Sequence, residues 1–504
     1  MHTTQKETDR HHRGLGSAAI NLSYSQLPAS FFVPLSPTRF SEPKMFVLNR
    51  QLAGDFALEA EWLRSSEGLK LLSGGATLSA GEPIAMAYSG HQFGHFSPLL
   101  GDGRARLVGE PLDRTGLRHD LHLKGSGATP FSRGGDGKAT LGSAIREYVI
   151  SEAMAALGVP TTRSLSIVTT GETILREAPV PGAVLARTAR SHVRVGTFQY
   201  AAVQGDLDHL KALADFSIDR LYPHIQSEGA KRYEDFLGAV AKAQAHLIAK
   251  WMLMGFIHGV MNTDNTSIAG ETIDYGPCAF MDTFAPDKVF SSIDRQGRYA
   301  WNRQAEIGHW NLSQLAQSIL PLLGDTEEAQ IEAAQSAMSE YVSAFQFELQ
   351  TGMANKLGLN PIDENLPAFV AETFIAMAKS DVDFTTFFTA LTRSAKEKSD
   401  TAVRDAFRSR CIADAWLVNW KSMRDENVDG SDLTAGVMQH VNPVRIPRNH
   451  QVERAIRDGE DGNPEAMNLL LDALRHPSEE SSAFTAFEQP PEPHETVSET
   501  FCGT

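Results

Sequence analysis

Asp264, Asn265 and Asp274 fall within one short stretch, Gly255 to Gly276, which reads GFIHGVMNTDNTSIAGETIDYG. Carboxylate and amide oxygens suit Mg²⁺ or Mn²⁺ better than nitrogen or sulfur does, so this is a set that holds a hard divalent cation against phosphate. Far upstream stand Gly101-Asp102-Gly103-Arg104, then Lys124, then Glu147. A glycine hairpin lets backbone N–H groups approach phosphate oxygens, and an arginine beside it can grip them bidentately. Each piece alone has a plainer reading: NTDN as a helix-capping turn, GDGR as a hairpin, Lys124 and Glu147 as unrelated surface charges. Their order along the chain favours phosphate and metal chemistry.

Spacing sharpens this. Protein kinases carry a strand lysine paired with a helix glutamate, then HRD-x-x-x-x-N, then DFG; the first Asp is the base, and the Asn and second Asp hold metal. Here His258-Gly259-Val260 stands at the HRD position, Asn265 follows Val260 by five residues, and Asp274-Tyr275-Gly276 replaces DFG. The metal ligands are kept and the base position is valine. Asp264, beside the metal-binding amide, offers a displaced carboxylate.

Several elements must position these groups. Val240, Ala243, Leu247, Trp251 and Met254 recur at helical spacing and stop at Gly255, where glycine can close a helix in the left-handed conformation. Strands are expected at Ile84 to Tyr88, Ala105 to Gly109 and Asp120 to Lys124, the last with Leu121 and Leu123 inward. The glycine-rich GSGATPFSRGGDGKATLG, with Asp136 and Gly137, leads into a helix from about Thr140 to Leu157, and such a helix start is a ready anion site. Three strands then read at Ser164 to Thr170, Glu172 to Glu177 and Ala183 to Ala189, and Arg187, Arg190 and Arg194 cluster where the strands end. Met45 to Ser65 reads as helix, and Ser25 to Pro43 as an extended arm anchored by Phe31 and Phe32. His91 and His95, hemmed by Gly90, Gly94 and Pro98, read as structural loop histidines rather than metal ligands. Helical stretches are expected within about 312–323, 326–356, 367–394 and 399–424, with Val441 to Arg475 ending the helical part.

The chain has 504 residues, 42% hydrophobic and 21% charged, enough for two or three packed units. A formal charge of -16 argues against nucleic acid as the main partner, since counterion release needs clustered Lys and Arg. No apolar run approaches the ~20 residues of a membrane helix, and the opening MHTTQKETDRHHRG lacks a signal-peptide core. A cytoplasmic location with no membrane partner is therefore expected. Cys278, Cys411 and Cys502 make neither a disulfide framework nor a zinc spacing.

Over most of its length, through IAMAYSGHQFGHFSPLLGDGRA, LKGSGATPFSRGGDGKA, SAIREYVISEAM, PGAVLARTARSHVRVGTF and IHGVMNTDNTSIAGETIDYGP, the sequence resembles the selenoprotein O (SelO/YdiU) family of protein adenylyltransferases, kinase-fold pseudokinases. The resemblance implies an α+β, two-lobed kinase-like fold: leader and arm over 1–44, a mainly antiparallel β N-lobe over 45–195, and a helical C-lobe over 196–355 with its catalytic segment at 255–282. Before the acidic, Pro-rich 479–504, whose composition reads as a disordered tail, the resemblance places a helical extension over 356–478. It further implies ATP bound in the reverse sense to ordinary kinases, with AMP, or UMP from UTP, passing to Ser, Thr or Tyr hydroxyls of proteins. Asp264 would be the proton acceptor and Asn265 and Asp274 the ligands of Mg²⁺ or Mn²⁺. Gly101, Gly103, Arg104, Lys124, Asp136, Gly137, Arg187, Arg194 and Asp274 would contact ATP, with Glu147 orienting Lys124. Some members carry selenocysteine near the C-terminus; Cys502 stands there here, and Cys278 follows the DYG motif. The two could form a redox pair, released by a thioredoxin-like or glutathione-linked partner, or be two unrelated thiols. Against the adenylyltransferase stand two other readings, a conventional phosphotransferase and an inert nucleotide-binding scaffold. Val260 weighs against the first, and the retained Lys124, Glu147, Asn265 and Asp274 against the second.

Overall fold

The computed structural model describes residues 20–78, 81–425 and 431–501. Residues 1–19 of the expected leader, and Cys502, lie outside the described residues. The fold is mixed: a twisted antiparallel sheet built before residue 190, then a mass of helices.

Among the described residues the sheet contains β1 (Phe32–Pro34), β2 (Lys44–Leu48), β3 (Ile84–Met86), β6 (Ala105–Gly109), β7 (Asp120–Lys124), β8 (Ala139–Thr140), β9 (Arg163–Leu175) and β10 (Pro179–Ala189), while β4 (Gly90–Gln92) and β5 (His95–Ser97) form a separate hairpin. The order is β1-β3-β6-β7-β10-β9-β2, with β8 also on β10. Side chains alternate across a strand, and here the alternation does the sorting. Leu121 and Leu123 of β7 join Val108, Val184 and Ala186 in one apolar layer with Leu52, Leu63, Leu71 and Leu72 of three short helices, Arg50–Asp55, Ala60–Leu63 and Ser66–Ser73. His122 and Lys124 must then take the opposite face. In the β7–β10 register Lys124 lies opposite Leu185 and His122 opposite Arg187. Over that face runs the helix Leu141–Ala156, started by the Thr140 side chain accepting from the Ser143 N–H at 3.1 Å. Leu141, Ile145 and Val149 pack it against Ile167 and Leu185, and Glu147 comes down beside Lys124.

The helical mass is centred on Gly229–Leu253, whose Phe236, Val240, Leu247 and Trp251 are buried. That helix ends at Gly255 with φ 68, and the chain turns directly into β11 (Phe256–Ile257), paired with β12 (Ala279–Phe280). Everything between those two strands, including the whole NTDN and DYG region, is loop and one short 3₁₀ turn held at both ends by a two-residue ladder in the core. No helix among the described residues is long and apolar enough to cross a membrane.

Four expectations are corrected. Met45 to Ser65 is not one helix: KMFVL joins the sheet as β2 beside β9, and Asn49 then caps a new helix by accepting from the Leu52 N–H. The strands expected at 164–170 and 172–177 are a single β9, because Gly171 (φ 73) opens a bulge rather than a turn. The stretch 367–394 splits into Leu366–Lys379 and Phe384–Glu397, with Asp381 at φ 48 and Asp383 capping the second helix through the Thr386 N–H. The acidic tail is ordered over 479–501, where Arg445 and Arg448, both almost wholly buried, receive it: Arg445 donates to the Glu479 carbonyl and the Glu488 carboxylate, Arg448 to the Glu488 carbonyl. A tail whose Glu488 neutralises the buried Arg445 guanidinium is worth its ordering entropy; composition alone could not show that partner.

Lys356, on the long helix Glu327–Leu357, is 2% exposed with its ammonium 4.2 Å from the Phe388 ring centroid. Burial pulls it down to about 7. The unfolded chain, with an ordinary lysine, binds more protons above that value, so the penalty is full below pH 7 and vanishes above the usual lysine value of about 10.4. Lys356→Met is expected to raise the thermal midpoint by several degrees at pH 7 and by little at pH 10.5, measured by calorimetry at both pH values.

Candidate active site

Five charged side chains meet at the joint between the sheet and the helices. Lys124 donates to Glu147 Oε2 at 2.5 Å and to Asp274 Oδ1 at 3.2 Å. Arg187 Nη1 bridges the same two carboxylates, at 2.7 Å to Glu147 Oε1 and 2.7 Å to Asp274 Oδ1. Arg194 Nη1 closes the set at 3.0 Å from Asp274 Oδ2, with its guanidinium over the Tyr88 ring at 4.5 Å. Burial by itself would raise both carboxyl groups. For Asp274 the cations Arg187, Lys124 and Arg194 outweigh it and hold the group well below the usual carboxylate range; for Glu147, Lys124 and Arg187 outweigh it and lower the group. Asp274 also sits at φ 58, a left-handed conformation that Asp tolerates better than most residues. Its ion pairs hold it there.

The turn that carries the other two oxygen groups lies alongside. Asn265 Nδ2 donates to the Val260 carbonyl at 3.0 Å, which fixes the amide with its oxygen as the remaining acceptor. Asp264 is buried, and burial raises its carboxyl to about 6 against the pull of Arg194. Its Oδ1 has no hydrogen-bond partner among the described residues, while its backbone carbonyl accepts from Arg194 Nη1 at 2.7 Å. His258, at the head of the segment, links it to the DYG loop through Nε2 and the Ile273 carbonyl at 3.0 Å.

The remaining expected residues are arranged differently. Arg104 lines a recess with Lys124, Ser143, Glu147, Tyr275 and Phe501. Gly101 and Gly103 form the loop, but their N–H groups go to the Tyr88 and Gly101 carbonyls, at 3.1 and 2.9 Å. What requires glycine there is packing: a Cβ on Gly101 would lie 2.3 Å from the Phe131 ring. Asp136 is gripped by Arg176 at 3.0 Å through both oxygens, outside the five-residue cluster. Arg190 is also outside it, donating to the Leu221 carbonyl. Cys278 is buried two residues beyond Gly276. The tail reaches this region, since Thr500 Oγ1 donates to the Pro277 carbonyl at 2.6 Å and Phe501 enters the recess. Gln92, Gln199 and Thr263, none of them expected, border Asp264; the conspicuous GHQFGH stretch was the one sign of the first.

The family model described as "Protein adenylyltransferase SelO" matches residues 17–475. Proteins named "Protein nucleotidyltransferase YdiU" are similar along nearly the whole chain. The one from Nitrobacter hamburgensis is 47% identical over 483 residues, covering 96% of this chain and 95% of its own. Those from Rhodopseudomonas palustris and Bradyrhizobium sp. are each 48% identical, covering 96% of this chain and 98% of their own. The chain belongs to the SelO family. The stretch matched by the SelO family model holds all five clustered charges and both oxygen groups of the turn, and ends before the tail residues that reach the recess.

A divalent cation fits the residues present. Among the described residues there is no group of three or more His, Cys, Asp and Glu side chains that could enclose a metal. Asn265 and Asp274 supply two hard oxygen donors, and the rest of a Mg²⁺ shell is ordinarily water and substrate phosphate. The cluster itself can be tested without ligand. Removing one partner from a buried ion pair leaves an uncompensated charge, so Arg187→Met is expected to cost about 3–5 kcal/mol in chemical denaturation. Asp136→Asn, which breaks only the solvent-facing pair with Arg176, should cost about 0–1 kcal/mol.

Proposed function

We propose that this chain works in the cytoplasm as a protein adenylyltransferase, moving AMP from ATP, or UMP from UTP, to hydroxyl groups of proteins. The two-lobed kinase-like reading, with an N-lobe over 45–195, a C-lobe over 196–355 and a helical extension over 356–478, goes with it. One observation carries the reading most directly. The lysine, glutamate and metal-site aspartate of a phosphotransfer site are assembled, yet the kinase base position is Val260, and the carboxylate beside the metal amide is Asp264, buried and with one oxygen unpartnered.

In this scheme the acceptor oxygen attacks the α-phosphorus, the bond to pyrophosphate breaks, and the acceptor proton passes to Asp264. Lys124, Arg187 and Arg194 bind the phosphates, with Arg104, the 101–103 loop, Asp136 and Gly137 completing the nucleotide site and Glu147 orienting Lys124. Asn265 and Asp274 would hold Mg²⁺ or Mn²⁺, which when bound neutralises phosphate charge. Burial suits Asp264 to the work, because a carboxylate shifted toward neutral pH is a stronger base than one in water. An ordinary kinase would need the base that Val260 lacks.

Incubation with protein acceptors and ATP labelled on the α- or the γ-phosphate tests this. Protein-bound label is expected from the α-position only; γ-label alone would overturn the reading. Asp264→Ala should leave MgATP binding intact and slow transfer roughly 10²- to 10⁴-fold, whereas Asp274→Ala should abolish metal-dependent nucleotide binding, measured by titration calorimetry.

A redox control is proposed alongside. Thr500 bonded to the Pro277 carbonyl brings the end of the described chain beside Cys278, and Cys502 follows two residues later, outside the described residues. A peroxide-type oxidant would join the two thiols, and a thioredoxin-like or glutathione-linked dithiol would release them. Peptide mapping under non-reducing conditions should find this cross-link, and Cys502→Ser should make activity indifferent to dithiothreitol; an oxidised enzyme without it would end the idea.

A further inference from the structure

The hairpin of β4 and β5, together with the helix Val195–Gln204, meets the turn Asn262–Asn265 through a closed set of hydrogen bonds. The Thr263 hydroxyl accepts from the His91 N–H at 2.6 Å and donates to Gln199 Oε1 at 2.7 Å. Gln199 Nε2 returns to His91 Nδ1 at 2.7 Å, completing a ring of three residues. One residue earlier, Asn262 Oδ1 accepts from the Phe93 N–H at 3.0 Å and from the Tyr299 hydroxyl at 2.7 Å. One residue later comes Asp264, whose Oδ2 lies 3.5 Å from Gln92 Nε2. Gly90 closes the contact from behind, since a Cβ there would sit 2.5 Å from Asp264 Oδ1 and 3.0 Å from its Cγ.

We propose that Thr263, Gln199 and His91 are positioning residues for Asp264, and that the hairpin is a clamp that aims this carboxylate at the acceptor hydroxyl. The inference rests on Asp264 being the base. The physical argument is one of rigidity. Asp264 lies in a short 3₁₀ turn, Thr263–Asn265, with no helix or strand of its own to orient it. Among the described residues its carboxylate accepts one long hydrogen bond, from Gln92, and its Oδ1 has no partner, so hydrogen bonds at the carboxylate itself fix its direction only weakly. The direction is therefore set by the backbone of the turn, which is held through Asn262 and Thr263 on one side and through Arg194 Nη1 at the Asp264 carbonyl. Thr263 is fully buried and its hydroxyl is used in both senses, as acceptor and as donor. A hydroxyl is the one small group that can do both. Misplacement of a reacting group by about 1 Å can cost about 10²-fold in rate, so a clamp of this kind acts on turnover rather than on nucleotide binding. Asn265 and the cluster around Asp274 have their own supports, the Val260 carbonyl and the three cations.

The test uses the full-length enzyme, MgATP labelled on the α-phosphate and a protein acceptor, with wild type and Asp264→Ala as references. Thr263→Val, which keeps the shape and removes the hydroxyl, is expected to lower kcat by about 10- to 100-fold while MgATP affinity stays within about twofold. Thr263→Ser, which restores the hydroxyl, should recover most of the rate. Gln92→Leu, at the partly exposed rim where folding is not at stake, should lower kcat in the same sense. An Asp264→Ala enzyme at full rate would overturn the base reading and this inference with it. With Asp264→Ala impaired, any of three results overturns the clamp alone: Thr263→Val at the wild-type rate, Thr263→Ser as slow as Thr263→Val, or nucleotide affinity falling in step with kcat.

Discussion

The structure depends on burying three cations and two carboxylates in one place. Placing a charge in a low-dielectric interior costs several kcal/mol, and only complete pairing offsets it. Each partner comes from a different element: Lys124 from the end of β7, Glu147 from the helix Leu141–Ala156, Arg187 from β10, Arg194 from the cap of the helix Val195–Gln204, Asp274 from the loop before β12. No one of these elements can move far without leaving a buried charge unpaired. The cluster thus ties sheet, helix and the loop of Asp274 together. It also explains why Asp274 keeps a left-handed backbone that a looser loop would relax.

How much of this was legible follows the range of each interaction. Strand alternation placed Leu121 and Leu123 inward and so Lys124 on the opposite face, a local rule read within a few residues; Glu147 was matched to Lys124 by their order along the chain, not by the helical period. The bridging role of Arg187 was not readable, because its partners are 40 and 87 residues away and a guanidinium on a strand looks the same whether it faces solvent or two carboxylates. Asp136 shows the same limit: its glycine-rich setting suggested phosphate, and nothing near it in sequence showed that an arginine 40 residues on pairs with both its oxygens. The tail failed for the same reason. Acidic and proline-rich composition describes a segment without partners, and two buried arginines supply them.

The charge balance bears on how the site meets its substrate. Every cation of the cluster already has a carboxylate, so under the proposed function a triphosphate would gain less than three bare charges offer and would compete for Lys124, Arg187 and Arg194 with Glu147 and Asp274. Such a cluster is costly to leave unpaired. On the proposed reading, specificity for a phosphorylated ligand would come from the number of charges that can be re-shared, not from any single ion pair.

On the proposed reading the base stands away from the kinase position, which changes what the surrounding fold has to do. An aspartate at Val260 would follow directly from the β11 strand and His258, whose imidazole is already bonded to Ile273, and so would inherit its direction from the core. Asp264 is four residues further into loop, where that rigidity has decayed. The chain meets this with pieces from elsewhere in the sequence: a hairpin some 170 residues upstream supplies main-chain donors to Asn262 and Thr263, and a helix that follows the sheet supplies Gln199. Burial beneath the same hairpin also raises the carboxyl group. Direction and basicity therefore have a common origin, because the element that fixes the backbone of the turn is also the one that keeps water from its side chain.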